Sequence, residues 1–108
     1  MNPETALSKT IRLALNRTMR VRLMDNEVGV DTIKGVRYGL GTGSADLVGI
    51  LKSGRVFCLE VKTPSGRVRP EQSAWLESVR RWGGFAAIVR SLDDAVAALA
   101  RAEQGALL

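Results

Sequence analysis

The chain has 108 residues, 45% of them apolar and 25% charged, which is the balance of an ordinary globule and the length of a single domain over residues 1–108. It contains no histidine and one cysteine, so Ser-His and Cys-His triads, imidazole zinc sites, nucleases with a histidine base and internal disulfides are all excluded. Sixteen Lys and Arg against eleven Asp and Glu give a formal charge of +5 and a pI near 10.1, which suits a polyanionic partner without requiring one. Any metal bound here is expected to be a hard cation held by oxygens. No apolar run approaches membrane-spanning length and the N-terminus has no signal-peptide core, so no membrane partner and a cytoplasmic location are expected.

The chain opens with a helix signal: Asn2 can cap, Pro3 fits the first helical position and Glu4 suits the positive end of the dipole. Leu7, Ile11, Ala14, Leu15 and Thr18 then share one face, and Glu4 projects toward that same side. A dipole-complementing surface Glu is the ordinary meaning of such a position. Next, Met19, Val21 and Leu23 alternate with Arg20 and Arg22, which predicts a strand with a basic outer face. Residues 25–43 are punctuated by five glycines, and a structureless loop of that length is suspect, so a short strand is expected near Val36-Arg37-Tyr38. Lys34, Arg37 and Tyr38 suit contact with a phosphate backbone about as well as they suit a solvated loop.

Two apolar runs flanking Ser53-Gly54 read as a β-hairpin that carries Asp46, Glu60 and Lys62 where the pattern wants apolar residues. A two-residue loop of Ser53 and Gly54 would set Asp46 and Glu60 on opposite sides of the sheet. A three-residue loop, Lys52-Ser53-Gly54, with Gly54 at positive φ, sets Leu51 opposite Arg55 and Asp46 opposite Glu60. Lys62, two residues on, then joins them. The second register is preferred, because it alone gives the buried charges a common site. In it Val48, Ile50, Val56 and Cys58 share the acidic face and Leu47, Leu51, Phe57, Leu59 and Val61 the other, so both faces are expected to be covered. Cys58 reads as a buried, inert thiol.

Thr63 to Arg69 is a basic turn region, and Pro70 opens a helix that stops at Gly83-Gly84. Trp75, Leu76, Val79 and Trp82 form its apolar stripe, with Gln72 at the head. Gln72 either aims its amide at the core side or only caps nearby backbone. Phe85 to Val89 is an unbroken apolar run suited to a central strand, and Ser91 caps a last helix in which Leu92, Ala95, Val96 and Leu99 repeat. Strand, helix, strand in this order implies a parallel crossover. The fold expected is α/β: a mixed sheet flanked by helices, in the order α-β-β-β-α-β with a C-terminal helix and an optional extra strand in the glycine-rich stretch.

Two carboxylates held together out of water repel unless protonated or bridged, and a divalent cation is the simplest bridge. Asp46 and Glu60 would be its ligands, with the Val61 carbonyl as a third oxygen. Mg²⁺ keeps several waters when few carboxylates bind it, and Lys62 is placed to orient one as a nucleophile or to neutralise a scissile phosphate. Taken alone, an acid-x-Lys triplet with an Asp upstream arises by chance roughly as often as not in a chain this long, and Glu60 with Lys62 also reads as an exposed ion pair. The apolar strand around the triplet raises its weight.

Gly43-Ser44-Ala45-Asp46-Leu47-Val48-Gly49, Gly54, Leu59-Glu60-Val61-Lys62-Thr63-Pro64, Gly66-Arg67, Glu71-Gln72, Trp75-Leu76 and Gly83-Gly84 together resemble the VRR-NUC domain of the PD-(D/E)XK nuclease superfamily. The resemblance runs from about Arg22 to Leu99 and departs from the nominal Pro-Asp only in having Ala45 before Asp46. It implies a restriction-endonuclease-like core and Mg²⁺- or Mn²⁺-dependent endonuclease cleavage of DNA, with Asp46 and Glu60 on the metal and Lys62 catalytic. It further implies that Gln72 supports the site and that Glu4, from the first helix, joins the metal shell; Glu27 fits that role less well. A stand-alone domain of this size is similar to phage or bacterial versions, which implies a Holliday-junction-resolvase-like homodimer acting on branched DNA in a bacterial cell or phage-infected host. The alternatives are a non-catalytic DNA-binding module of the same fold and a component that needs a partner protein to present DNA.

Overall fold

A computed structural model describes residues 1–108. The first helix, α1 (Pro3–Arg17), begins as its sequence dictates: the Thr5 N–H donates to Asn2 Oδ1 at 2.8 Å and Pro3 occupies the first turn. The strand β1 (Val21–Asp25) starts two residues later than the alternation predicts. Met19 lies outside it, 75% exposed and at φ 60°, because it serves as the left-handed residue that ends α1 and donates its N–H to Asn16 O. Then come β2 (Gly29–Asp31) and β3 (Val36–Tyr38), β4 (Leu47–Leu51), β5 (Val56–Val61), α2 (Pro70–Arg81), β6 (Phe85–Val89) and α3 (Leu92–Glu103). The strand expected near Tyr38 is present, and its partner β2 was not foreseen; the two pair only with each other, as a separate ribbon.

The main sheet runs β1-β4-β5-β6, antiparallel except for the parallel pair β5 and β6. Helices α1 and α3 cover one face, where Ile11, Leu15, Ala98 and Leu99 pack on Leu47, Leu59 and Val61 and the Phe57 and Phe85 rings stack at 5.2 Å. Helix α2 covers part of the other, setting Leu76 on Ala45, Cys58 and Ala86. This is the α/β restriction-endonuclease-like core that the sequence predicts. No helix is long and apolar enough to cross a membrane.

The hairpin adopts the three-residue loop. Leu47 pairs with Leu59 and Val48 with Cys58, Gly54 sits at φ 88°, and its N–H donates to Leu51 O at 2.9 Å. Arg55, the first residue past the loop, donates to Gly83 O and Ala102 O at 2.8 Å and also to Ala106 O, locking the turn to the ends of α2 and α3.

Some apolar positions differ from expectation. The run Phe85–Val89 is an edge strand, not a central one; α2 and α3 pack on its two faces, burying all of it but Ile88, and its open side is closed by the Ala86 N–H on Leu107 O and by Arg80 on Ala86 O. Trp82 is 92% exposed, because α2 ends at Arg81 before the stripe's last member reaches the sheet, and Val96 is half exposed. The acidic face is not fully covered either: Ile50 and Val56, toward the loop, are each 45% exposed beyond the reach of α2.

Candidate active site

Asp46 immediately precedes β4, and the hairpin register places it opposite Glu60 of β5. The Asp46 N–H donates to Glu60 Oε1 at 3.2 Å, and the Val61 N–H donates to Asp46 Oδ2 at 2.8 Å, so each carboxylate is fixed by the other strand's backbone. Lys62 lies at the end of the same strand, with its N–H bonded to Val89 O, and its Nζ is 3.6 Å from Glu60 Oε2. Both side chains are buried, so this is not an exposed ion pair. Burial first, and then the Asp46 carboxylate, pushes the Glu60 carboxyl up to about 8 against the opposing pull of Lys62. Burial alone raises the Cys58 thiol to about 12, which keeps it unreactive as expected.

Asp46 forms part of a cleft of about 740 Å³. Gln72 and Glu4 reach the same cleft, so the first-turn Glu of α1 faces it rather than the core. Gln72 is buried, and its Oε1 accepts the Arg69 N–H at 2.9 Å, which makes it the cap of α2. Glu4 does not complete a ligand cluster: no three His, Cys, Asp or Glu are grouped to hold a metal. The structure therefore brings together Asp46, Glu60 and Lys62, and brings Gln72 and Glu4 to the cleft that Asp46 lines.

The donor set fits a hard divalent ion. It consists of carboxylate oxygens with no soft ligand, and burial first, then the facing Asp46 carboxylate, raises the Glu60 carboxyl, a cost that a bridging cation would relieve. Behind the acids, Arg90 donates to Thr63 O at 2.7 Å and Gly66 O at 2.8 Å, pinning the turn that follows Lys62.

Two groups escaped the sequence reading. Asn26 joins the ribbon to the site: its backbone N–H donates to Asp46 O at 2.9 Å, its side-chain amide to Ser44 Oγ and Ala45 O at 2.8 Å, and its Oδ1 accepts from the Leu40 N–H. A lone Asn before a glycine-rich stretch gives no sequence signal for this. Along α1, Thr5, Ser8, Lys9 and Arg12 also line the cleft. Their spacing of three and four residues from one another, with Ser8 four from Glu4, is the signal that would have found them.

Among protein families, the model of the VRR-NUC domain matches residues 10–93, most of the chain. No curated protein and no solved structure matches it.

Proposed function

Since the chain belongs to the VRR-NUC domain family, nuclease domains of the PD-(D/E)XK superfamily that act on DNA, we propose that it is a divalent-metal-dependent endonuclease that hydrolyses phosphodiester bonds in branched DNA, resembling a Holliday-junction resolvase and working as a homodimer. The observation that carries this reading is the meeting of the half-buried Asp46 with the buried Glu60 and Lys62 at one end of a hairpin whose register sets the two acids opposite each other. Asp46 and Glu60 would hold Mg²⁺ or Mn²⁺ by their carboxylates, the Val61 carbonyl would be a third oxygen, and Glu4, which lines the cleft without reaching them, would join only by closing in. When bound, the ion supplies Lewis acidity and a water acidified for attack on phosphorus. The Lys62 ammonium would orient an attacking water and offset the negative charge that builds on the phosphoryl oxygens. Gln72 holds the head of α2 against the cleft and its amide positions the groups around Asp46. A two-fold dimer gives one such site for each of two strands, which is what paired incision at a junction needs.

Cleavage of supercoiled, linear, flap and four-way-junction DNA with Mg²⁺ and with Mn²⁺ tests the reading. Wild-type protein is expected to cut branched DNA preferentially, and Lys62→Ala and Asp46→Ala to lose at least roughly 100-fold in rate while still binding DNA. Full activity in either purified variant overturns the assignment. Wild-type binding without cleavage under every metal would instead favour the non-catalytic module.

A further inference from the structure

The ribbon β2–β3 stands off the main sheet, and a two-stranded ribbon alone is marginal in water. The Asn26 clamp holds its base against Ser44, Ala45 and Asp46, so its position is tied to the site. Tyr38 faces Gly29 across the two strands and lines the cleft while remaining 49% exposed. A Cβ at Gly29 would overlap the Tyr38 phenol, so the glycine is what lets the ring lie across the ribbon. From α1 the same cleft is lined by Arg12, held to Asp25 at 3.2 Å, and by the exposed Lys9, which has no acidic partner within 4.0 Å.

A cation and an aromatic face lining one cleft are the combination by which proteins hold unpaired strands: one takes the backbone, the other stacks a base. At about 740 Å³ the cleft has the size of a small-molecule pocket, which is room for one unpaired nucleotide with its phosphate. We propose that the cleft between α1 and the ribbon takes an unpaired nucleotide of the strand leading to Asp46, with Lys9 on its phosphate and Tyr38 stacked on its base. This rests on the nuclease reading and adds to it that one nucleotide beside the cut, in a flap or opened from its pair at a branch point, is held unpaired.

The test is anisotropy of a fluorescein-labelled oligonucleotide, single-stranded or annealed to its complement, in EDTA over a range of salt. Tyr38→Leu is expected to weaken single-strand binding about 5- to 100-fold, Tyr38→Phe to keep it, and Lys9→Ala to lower the slope of log K against log salt by about 0.7. Duplex binding and the Arg17→Ala control, at the far end of α1, stay at wild-type values. Single-strand binding by Tyr38→Leu and Lys9→Ala equal to wild type overturns the proposal. So does dissociation of a dimer by Tyr38→Leu in sedimentation, which would make the ribbon an arm between copies. Wild-type cleavage in the same preparations separates the two readings. Cleavage with unaltered KM in both variants removes only the cleft proposal, and Tyr38- and Lys9-dependent binding by a wild type that cuts no DNA removes only the nuclease.

Discussion

Glu60 is 1% exposed and its carboxyl is pushed from an ordinary 4.5 up to about 8, chiefly by burial and then by Asp46. Between those values the folded protein keeps a proton that the unfolded chain releases, so metal-free stability is full below about 4.5 and falls as the pH rises toward 8. Thermal melting in EDTA is therefore expected to drop by several degrees across that window, and Glu60→Gln to flatten the slope; an equal slope in the variant contradicts the assignment to Glu60. Asp46, Glu60 and Lys62 were legible in the sequence because charge inside an apolar strand is expensive and asks for a reason. Lys9 and Arg12 were not, since a cation on a helix is ordinarily a solvated one, and only the position of the opposing ribbon turns that face into a wall.

At the level of elements, the hairpin was legible because a single position decides it: Gly54 at φ 88° makes the loop three residues long, and every pair beyond follows, down to Asp46 and Glu60. A Cβ at Gly54 would meet nothing within 4 Å, so Gly54→Ala isolates the conformational cost. A loss of about 1–2 kcal/mol in urea unfolding is expected, with DNA cleavage retained; no loss of stability would contradict the positive-φ turn. Strand β6 was read as central because burial on both faces writes an unbroken apolar run, and nothing in that run records which neighbour supplies the missing hydrogen bonds. Here Leu107 and Arg80 supply them, from far along the chain and from an adjacent helix. Strand β2 was missed for the converse reason: Gly29-Val30-Asp31 buries no face, so it leaves no periodic trace.

Over the whole molecule, three helices and a four-stranded mixed sheet leave a polar cleft that Asp46 lines together with α1, the segment 25–28 and Tyr38 of the ribbon. The layers were legible in hydrophobic periodicity, whereas the cleft depends on where layers stop, as Trp82 at the exposed end of α2 also shows. The net charge of +5 pointed to a polyanion without locating it. The central claim is that Asp46 and Glu60 together bind a divalent metal for DNA hydrolysis. Calorimetric titration with Mn²⁺ near pH 7, repeated in buffers of different ionisation enthalpy, tests it directly. Wild-type protein is expected to bind Mn²⁺ and release about one proton as Glu60 ionises, and Asp46→Asn to lose most of that affinity. Undiminished Mn²⁺ binding by Asp46→Asn, or wild-type binding with no proton released, contradicts the account.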